Sequence, residues 1–428
     1  MSTLFENAAI VLEDRIIKCG YLGVKENKIS YIGEERPSEK YDIVKNMTGH
    51  LIMAGMYNLH THSPMTLLRG MGSDLPLDRW LNEAIFPVEA KLLPPDFSAG
   101  SRLAMLEMLS SGVVSFTDMY DSPWITADEV IKAGMKANLS RPIVGFDSSE
   151  PYSESFRAKE SEKFFREYNG KADGRIIVDY SIHAEYTNYD ELAMGYAADC
   201  KKMGAIMHIH LSETEKEHRE CKMRHNGLTP TEWFLKMGVL DNPTVAAHCV
   251  WVEESDMDIL KEKNVTCVHN PSSNMKLGSG FMPIEKLLKK GINVALGTDG
   301  AASNNNLNMM EELHLASVIH NGFTHDPTIL KPAELLKIAT VNGAAAQGRK
   351  NAGLLKEGYD ADIVAVNLDV PHLIPQNDIT ALITYSAQAS DIDMTMVNGK
   401  ILYENKEFLT IDYEKTKADV LESIKHLI

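Results

Sequence analysis

The stretch Ile52-Met-Ala-Gly-Met-Tyr-Asn-Leu59-His60-Thr61-His62 decides how this chain is read. An apolar run of strand length ends in two histidines, and the text then turns small and polar through Ser63-Pro64 and Arg69-Gly70. On a strand, residues i and i+2 face the same way, so both imidazoles can reach one ion. With 15 His in 428 residues, chance supplies about half of one His-x-His, and this pair alone would decide nothing.

A second pair, His208-Ile209-His210, closes another apolar run, with Glu213 three residues on. His210 is the expected ligand; His208, earlier in the run, is expected to be a buried structural histidine or an outer support. His183 and His248 end two further runs. Asp299 follows Ile292–Leu296 in Gly297-Thr298-Asp299-Gly300, where flanking glycines let the backbone turn tightly beside an ion or substrate. A plain turn aspartate is the bland alternative. Catalytic metal sites in (β/α)₈ barrels are built in this way, from the C-terminal ends of several strands. Three His and one Asp suit zinc or ferrous iron and leave a position open for water. The separations, 148 residues from His62 to His210 and 89 from there to Asp299, exclude a zinc finger. They fit ligands converging from the first, fifth and eighth strands.

Eight apolar runs are marked: Ile52–Leu59, Val113–Asp118, Ile143–Phe146, Ile176–Ile182, Ala205–Leu211, Thr244–His248, Val265–His269 and Val294–Gly297. Helical patterns lie between most of them, the clearest being Asp96–Ser111, ended by Gly112. Strands alternating with helices predict a parallel sheet, and eight predict a closed barrel. Outside it, the text is strand-like at both ends: Ala8–Ile17, Tyr21–Lys25 and Lys28–Ile32, then Ala361–Val366, Met394–Val397 and Ile401–Tyr403 around the hairpin signal Asn398-Gly399. A helical stretch at Pro332–Gln347 precedes the second group. The expected fold is therefore an α/β (β/α)₈ TIM-type barrel, residues 55–349, with a small β-sandwich domain made by residues 1–54 and 350–410. A C-terminal helix at 411–428 completes it.

Composition sets the bounds. Apolar residues make up 44% of the chain, ordinary for a globular protein. No apolar stretch reaches the ~18 residues of a membrane span. Met1 to Glu13 reads as a first strand rather than a signal peptide, which makes the cytoplasm the expected compartment. The cysteines at 19, 200, 221, 249 and 267 form no CxxC pair and are odd in number, as expected of inert thiols in a reduced compartment. A formal charge of −17, from 43 basic and 60 acidic residues, argues against nucleic acid as a partner. An uncharged nucleoside remains compatible.

These motifs resemble the amidohydrolase superfamily, in its branch of aminohydrolases acting on purine-like rings. The nearest resemblance is to 5-methylthioadenosine/S-adenosylhomocysteine deaminases. It rests on Asn58–His62, Arg69-Gly70, Trp80-Leu81 with Glu89, His210–Glu213, Ala247–Cys249, His269–Pro271 and Gly297–Asn304, and runs nearly end to end. Gly353, Gly358, Asp360 and Asp362 resemble that family's return into its β-domain. The resemblance implies that His60, His62, His210 and Asp299 hold one divalent ion, zinc or ferrous iron, with His248 beside the reacting water. It implies a substrate pocket drawing on Trp80, Glu89, His183 and Ser303, and a homo-oligomer. Binuclear members use a carbamylated lysine on the fourth strand; Ile176 to Thr187 has none and offers His183, so one metal is expected. The cytidine-deaminase type of zinc site needs Pro-Cys-x-x-Cys, which is missing here.

The expected reaction is hydrolytic deamination, with Glu213 protonating a ring nitrogen while Asp299, helped by His248, takes the proton that water releases. Glu89 would accept ribose hydroxyls and Trp80 would pack on an apolar face. Ser303 either contacts substrate or caps a helix from Leu307. The amino-acid tail of S-adenosylhomocysteine would call for a basic partner. The segment after the third run is instead Asp147-Ser-Ser-Glu150-Pro-Tyr-Ser-Glu154, with Arg157 only later and Arg141 before it as the candidate cation. That favours methylthioadenosine, 5′-deoxyadenosine or adenosine, in this order. The competing reading within the superfamily is a guanine, 8-oxoguanine or triazine aminohydrolase or chlorohydrolase; the one outside it is a non-catalytic scaffold.

Overall fold

A computed structural model describes residues 2–428. Eight parallel strands form the central layer: β1 (Met56–Thr61), β2 (Val113–Met119), β3 (Lys136–Ser140, resumed at Pro142–Ile143), β4 (Ile176–Val178 and Tyr180–Ile182), β5 (Met207–Leu211), β6 (Thr244–His248), β7 (Thr266–His269) and β8 (Val294–Leu296). Helices follow most of them, giving the mixed α/β order expected. The hydrogen-bonded ladder is not continuous. One ladder joins β1, β2 and the first halves of β3 and β4; the other joins the second halves of β3 and β4 to β5, β6, β7 and β8. Arg141 and Asp179 are the interruptions. Between β8 and β1 the links are the Asp299 N–H to the His60 carbonyl at 2.9 Å and a side-chain exchange in which Asn58 Nδ2 donates to Thr298 Oγ1 at 2.7 Å.

Three strand expectations need correction. The third strand begins at Lys136, not Ile143, because its buried text alternates Lys136, Asn138 and Ser140 with Ala137 and Leu139. Those polar side chains are inside and paired, so an apolar run was the wrong signal. The run from Ile52 is two strands. His50–Ala54 ends at Gly55, where a Cβ would lie 2.2 Å from Val114 Cγ1, and β1 starts at the next residue. Likewise Ala8–Ile17 spans a turn: Leu12 N donates to the Arg15 carbonyl, and Ser2–Val11 pairs antiparallel with Ile16–Lys25.

A second, nine-stranded sheet takes strands from both ends of the chain. His50–Ala54 lies between Ser2–Val11, parallel, and Ile363–Asn367, antiparallel; Ile392–Val397, Lys400–Glu404 and Glu407–Phe408 continue on the far side. Phe5, Ile10, Leu22, Ile52, Ile363 and Met394 form its core. Asn398 and Gly399 both have positive φ, +51° and +78°, as the two-residue hairpin between Ile392–Val397 and Lys400–Glu404 requires. The helical stretch from Pro332 breaks at Thr340 into Pro332–Ala339 and Val341–Ala346. The last helix, Tyr413–Leu427, is capped by Asp412 and tied to helix Pro94–Ser110 through Arg102–Asp419 at 2.6 Å. Among the described residues no helix is long and apolar enough to cross a membrane.

Candidate active site

The C-terminal ends of the barrel strands bring the singled-out side chains together. His60 is in β1 and His62 just past it, His183 follows β4, His210 is in β5, His248 ends β6, and Asp299 lies three residues beyond β8. The backbone there is bent unusually. Ser212, His248, Cys249 and Asp299 all have left-handed φ, at +47°, +73°, +48° and +63°. Each such non-glycine residue costs about 1–3 kcal/mol, which the surrounding packing must hold in place.

Hydrogen bonds fix which nitrogen each ring presents. His62 Nδ1 donates to the Met119 carbonyl and His210 Nδ1 to the His183 carbonyl, both at 2.6 Å. A carbonyl only accepts, so both Nε2 atoms are bare. They face each other at 3.3 Å. His60 Nδ1 meets His208 Nε2 at 2.9 Å, and His60 Nε2, buried without a hydrogen bond, lies 3.3 Å from Asp299 Oδ1. His62 Nε2 is 3.3 Å from the same oxygen. His248 Nδ1 meets Asn274 Oδ1 at 2.9 Å, turning Nε2 inward. Ligand atoms of His60, His62 and Asp299 lie within 4.8 Å of one another, as do those of His60, His210 and His248.

This donor set fits a divalent cation. Bare lone pairs and a carboxylate oxygen crowded together repel unless a positive charge sits among them. The electrostatics show the same demand. Burial pushes the His60 imidazole down to about 3, keeping it neutral as a ligand must be. At His62 burial works in the same direction, yet the Asp299 carboxylate outweighs it and pushes that ring up to about 9. Asp299 itself is aimed by the Ser273 and Ser303 hydroxyls, which donate to Oδ2 at 2.7 and 2.8 Å, and by the Gly300 N–H on Oδ1.

A cavity of roughly 330 Å³ opens over these atoms. Glu213 is buried in its wall, with Ser279 Oγ donating to Oε1 at 3.2 Å and His248 Nε2 3.8 Å from Oε2. Burial raises its carboxyl above the usual carboxylate range. Across the cavity lie Trp80, whose Nε1 donates to the Met71 carbonyl at 3.1 Å, and Glu89, hydrogen-bonded to the Tyr120 hydroxyl. His183 lines the same space. Ser303 does too, but caps no helix: the next one starts at Met309 and is capped by Asn308. Arg141 is not in the cavity wall. It is buried behind it, paired with Asp121 and Glu160 and stacked 5.3 Å from the Phe156 ring centroid. The cation lining the cavity is Arg157, held to Asp121 Oδ1 at 2.6 Å.

Residues 51–402 match the amidohydrolase family and residues 2–46 the BsNagA composite domain. The chain belongs to the amidohydrolase family. That family is metal-dependent, and membership makes this chain a hydrolase acting on C–N bonds. Among its relatives, a 5-methylthioadenosine/S-adenosylhomocysteine deaminase of Acetivibrio thermocellus is 41% identical over 100% of both chains. A 5′-deoxyadenosine deaminase of Methanothermobacter thermautotrophicus is 41% identical over 96% of each. A solved adenosine deaminase of Xanthomonas campestris with bound zinc superposes with TM-score 0.93 at 27% identity, covering 99% of this chain and 98% of the other.

Several supports within this family member had no sequence signal of their own. Ser273, Asn274 and Ser279 lie in or just after the short helix Pro271–Lys276, and their text reads as an ordinary loop and turn. The Met119 and His183 carbonyls that orient His62 and His210 are backbone atoms, invisible to any reading of side chains.

Proposed function

We propose that this chain is a hydrolytic deaminase of adenosine-type nucleosides, using one divalent ion, zinc in the first instance, in a single-metal site. The observation that carries the reading is the set of inward Nε2 atoms fixed by outward Nδ1 bonds, with the buried Glu213 carboxyl on the same wall. His60, His62, His210 and Asp299 would hold the ion. When bound, such an ion supplies Lewis acidity, making water acidic enough to react near neutral pH.

The side chains do the rest. Glu213, whose carboxyl burial makes less acidic, delivers its proton to a ring nitrogen as the water oxygen adds to the amino-bearing carbon. Asp299 accepts the proton which that water loses, and the bare His248 Nε2 accepts a hydrogen bond from the O–H of the incoming water. The C–N bond then breaks as Asp299 hands its proton to the amino group, which leaves as ammonia; the hydroxyl proton returns to Glu213, and the inosine analogue remains. Glu89, steadied by Tyr120, accepts the ribose hydroxyls; Trp80 packs against the sugar or ring face; His183 bonds the purine edge. Ser303 acts through Asp299. Arg141 acts only through Asp121, which it shares with Arg157. Because Asp121 neutralises Arg157, a small or neutral 5′ group suits this end of the cavity best: methylthioadenosine, 5′-deoxyadenosine or adenosine.

The wider reading includes a closed (β/α)₈ barrel at residues 55–349, a β-sandwich domain from 1–54 and 350–410, and a C-terminal helix. It also includes a cytoplasmic homo-oligomer. The exposed Phe281–Phe323 stack, 4.1 Å between centroids, supports the oligomer, and free cysteines at all five positions support a reducing compartment.

The test is ammonia release by the zinc-loaded protein. Release is expected from methylthioadenosine, 5′-deoxyadenosine and adenosine, with little from guanine or 8-oxoguanine. Release from the free bases alone would move the chain to the guanine branch and remove Glu89 and Trp80 from any ribose contact.

A further inference from the structure

The turn that carries Glu213 is held by a carboxylate outside the chemistry above. Ser212, with its left-handed φ of +47°, precedes Glu213. The N–H groups of both residues donate to one side chain, Glu217: Ser212 N to Oε1 at 3.0 Å and Glu213 N to Oε2 at 2.7 Å. Glu217 is 6% exposed. It sits at the third position of helix Glu215–Arg224, whose N-cap is Thr214. In a capping box, a glutamate at that position reaches back to the N–H of the cap residue itself. Here the carboxylate goes one and two residues farther back, onto the strained turn. The other side of the turn is fixed as well, since Trp251 N donates to the Ser212 carbonyl at 2.9 Å and Trp251 Nε1 donates to the carbonyl of Ser279, the residue that bonds Glu213.

We propose that Glu217 is a positioning residue for Glu213, its carboxylate spanning two consecutive backbone N–H groups and so aiming the Glu213 carboxyl at the cavity between Ser279 and His248. The assignment rests on Glu213 as the proton donor. Glutamine is nearly the same shape but has one acceptor oxygen; its NH₂ would confront the second N–H, donor against donor. The turn would relax, and a displacement on the order of 1 Å at a catalytic group costs up to about 10²-fold.

The experiment is steady-state ammonia release from 5′-deoxyadenosine by zinc-loaded Glu217→Gln, Glu213→Gln and the double variant. Glu217→Gln should lower kcat about tenfold or more, with KM within about twofold and bound zinc at the wild-type level. In the Glu213→Gln background the same change should cost nothing further, because there is no donor left to aim. A wild-type kcat in Glu217→Gln, or an equal loss in both backgrounds, overturns this role alone. A wild-type kcat in Glu213→Gln overturns the proton-donor reading and this role with it. If Glu217→Gln does not fold, adding Ser212→Gly, which relieves the left-handed strain, restores folding, and the same comparison is made on that chain.

Discussion

The two ends of the barrel bury polar groups of similar kind in opposite states. At the N-terminal end, Lys136 donates to Asp360 Oδ2 at 2.7 Å and Asp362 Oδ2 at 2.6 Å, Lys28 reaches Asp360 Oδ1 at 2.6 Å, and the Tyr57 hydroxyl donates to Asp362 at 2.8 Å. Two cations meet two carboxylates, and the cluster is complete. At the C-terminal end, His60 Nε2 and Asn270 Oδ1 are buried without hydrogen-bond partners, and two bare imidazole nitrogens face each other. The first arrangement joins the barrel to the nine-stranded sheet and asks for nothing more. The second becomes reasonable only once something positive enters it. In a (β/α)₈ barrel, the end that completes itself serves stability and the end that does not serves chemistry.

The difference can be broken by experiment, beginning with its largest consequence. Chelation of the metal should abolish ammonia release, and zinc should restore it; activity that survives complete metal removal would dissolve the contrast. Next, Glu213→Gln should retain stoichiometric zinc while turnover falls by about 10² or more, read by metal analysis beside kinetics. At the opposite end, Lys136→Met leaves two carboxylates without their buried partner. Breaking such a pair costs about 3–5 kcal/mol, so the denaturation midpoint should fall sharply while turnover per folded, metal-loaded chain stays near wild type. An equal loss of turnover would show that the two ends are coupled.

The last effect concerns Asp179, between the halves of β4. Burial pushes its carboxyl up to about 8, against the Asn138 amide that donates to both oxygens at 3.1 Å. The folded state thus holds a proton that the unfolded chain gives up near its ordinary carboxylate pKa of about 4. The resulting stability is complete below about 4 and is lost as pH rises through about 8. Asp179→Asn should flatten that fall, seen as a smaller stability difference between pH 5 and pH 8 in denaturant titrations; an unchanged difference would remove Asp179 as its source.

What could be read from sequence follows the same division. The open end was legible because its groups sit on strand ends: His60, His62, His210, His248 and Asp299 each follow an apolar run. The complete end hid the third strand, since Lys136, Asn138 and Ser140 look solvent-facing until their partners, some more than 200 residues away, are known. Glu217 was hidden for a related reason. In Glu213-Thr-Glu-Lys-Glu217-His-Arg-Glu220 it reads as one more exposed helix charge, and only the bent turn behind it accounts for its burial. Arg157 was undervalued because three acidic residues precede it; in the structure its pairing with Asp121 and its bond to the Pro142 carbonyl fix its place.

The step at Gly55 also sets an order of events during synthesis. His50–Ala54 pairs Ala54 with Ile363, a residue made 309 positions later. At about 5–20 residues per second, that partner emerges roughly 15–60 s after the strand it completes. Until then the short segment leading to His60 and His62 lacks one of its two sheet neighbours, and Asp362, which ties Tyr57 to the sheet, does not yet exist. The first two histidines are therefore translated early, while the sheet that anchors the segment before them is completed late.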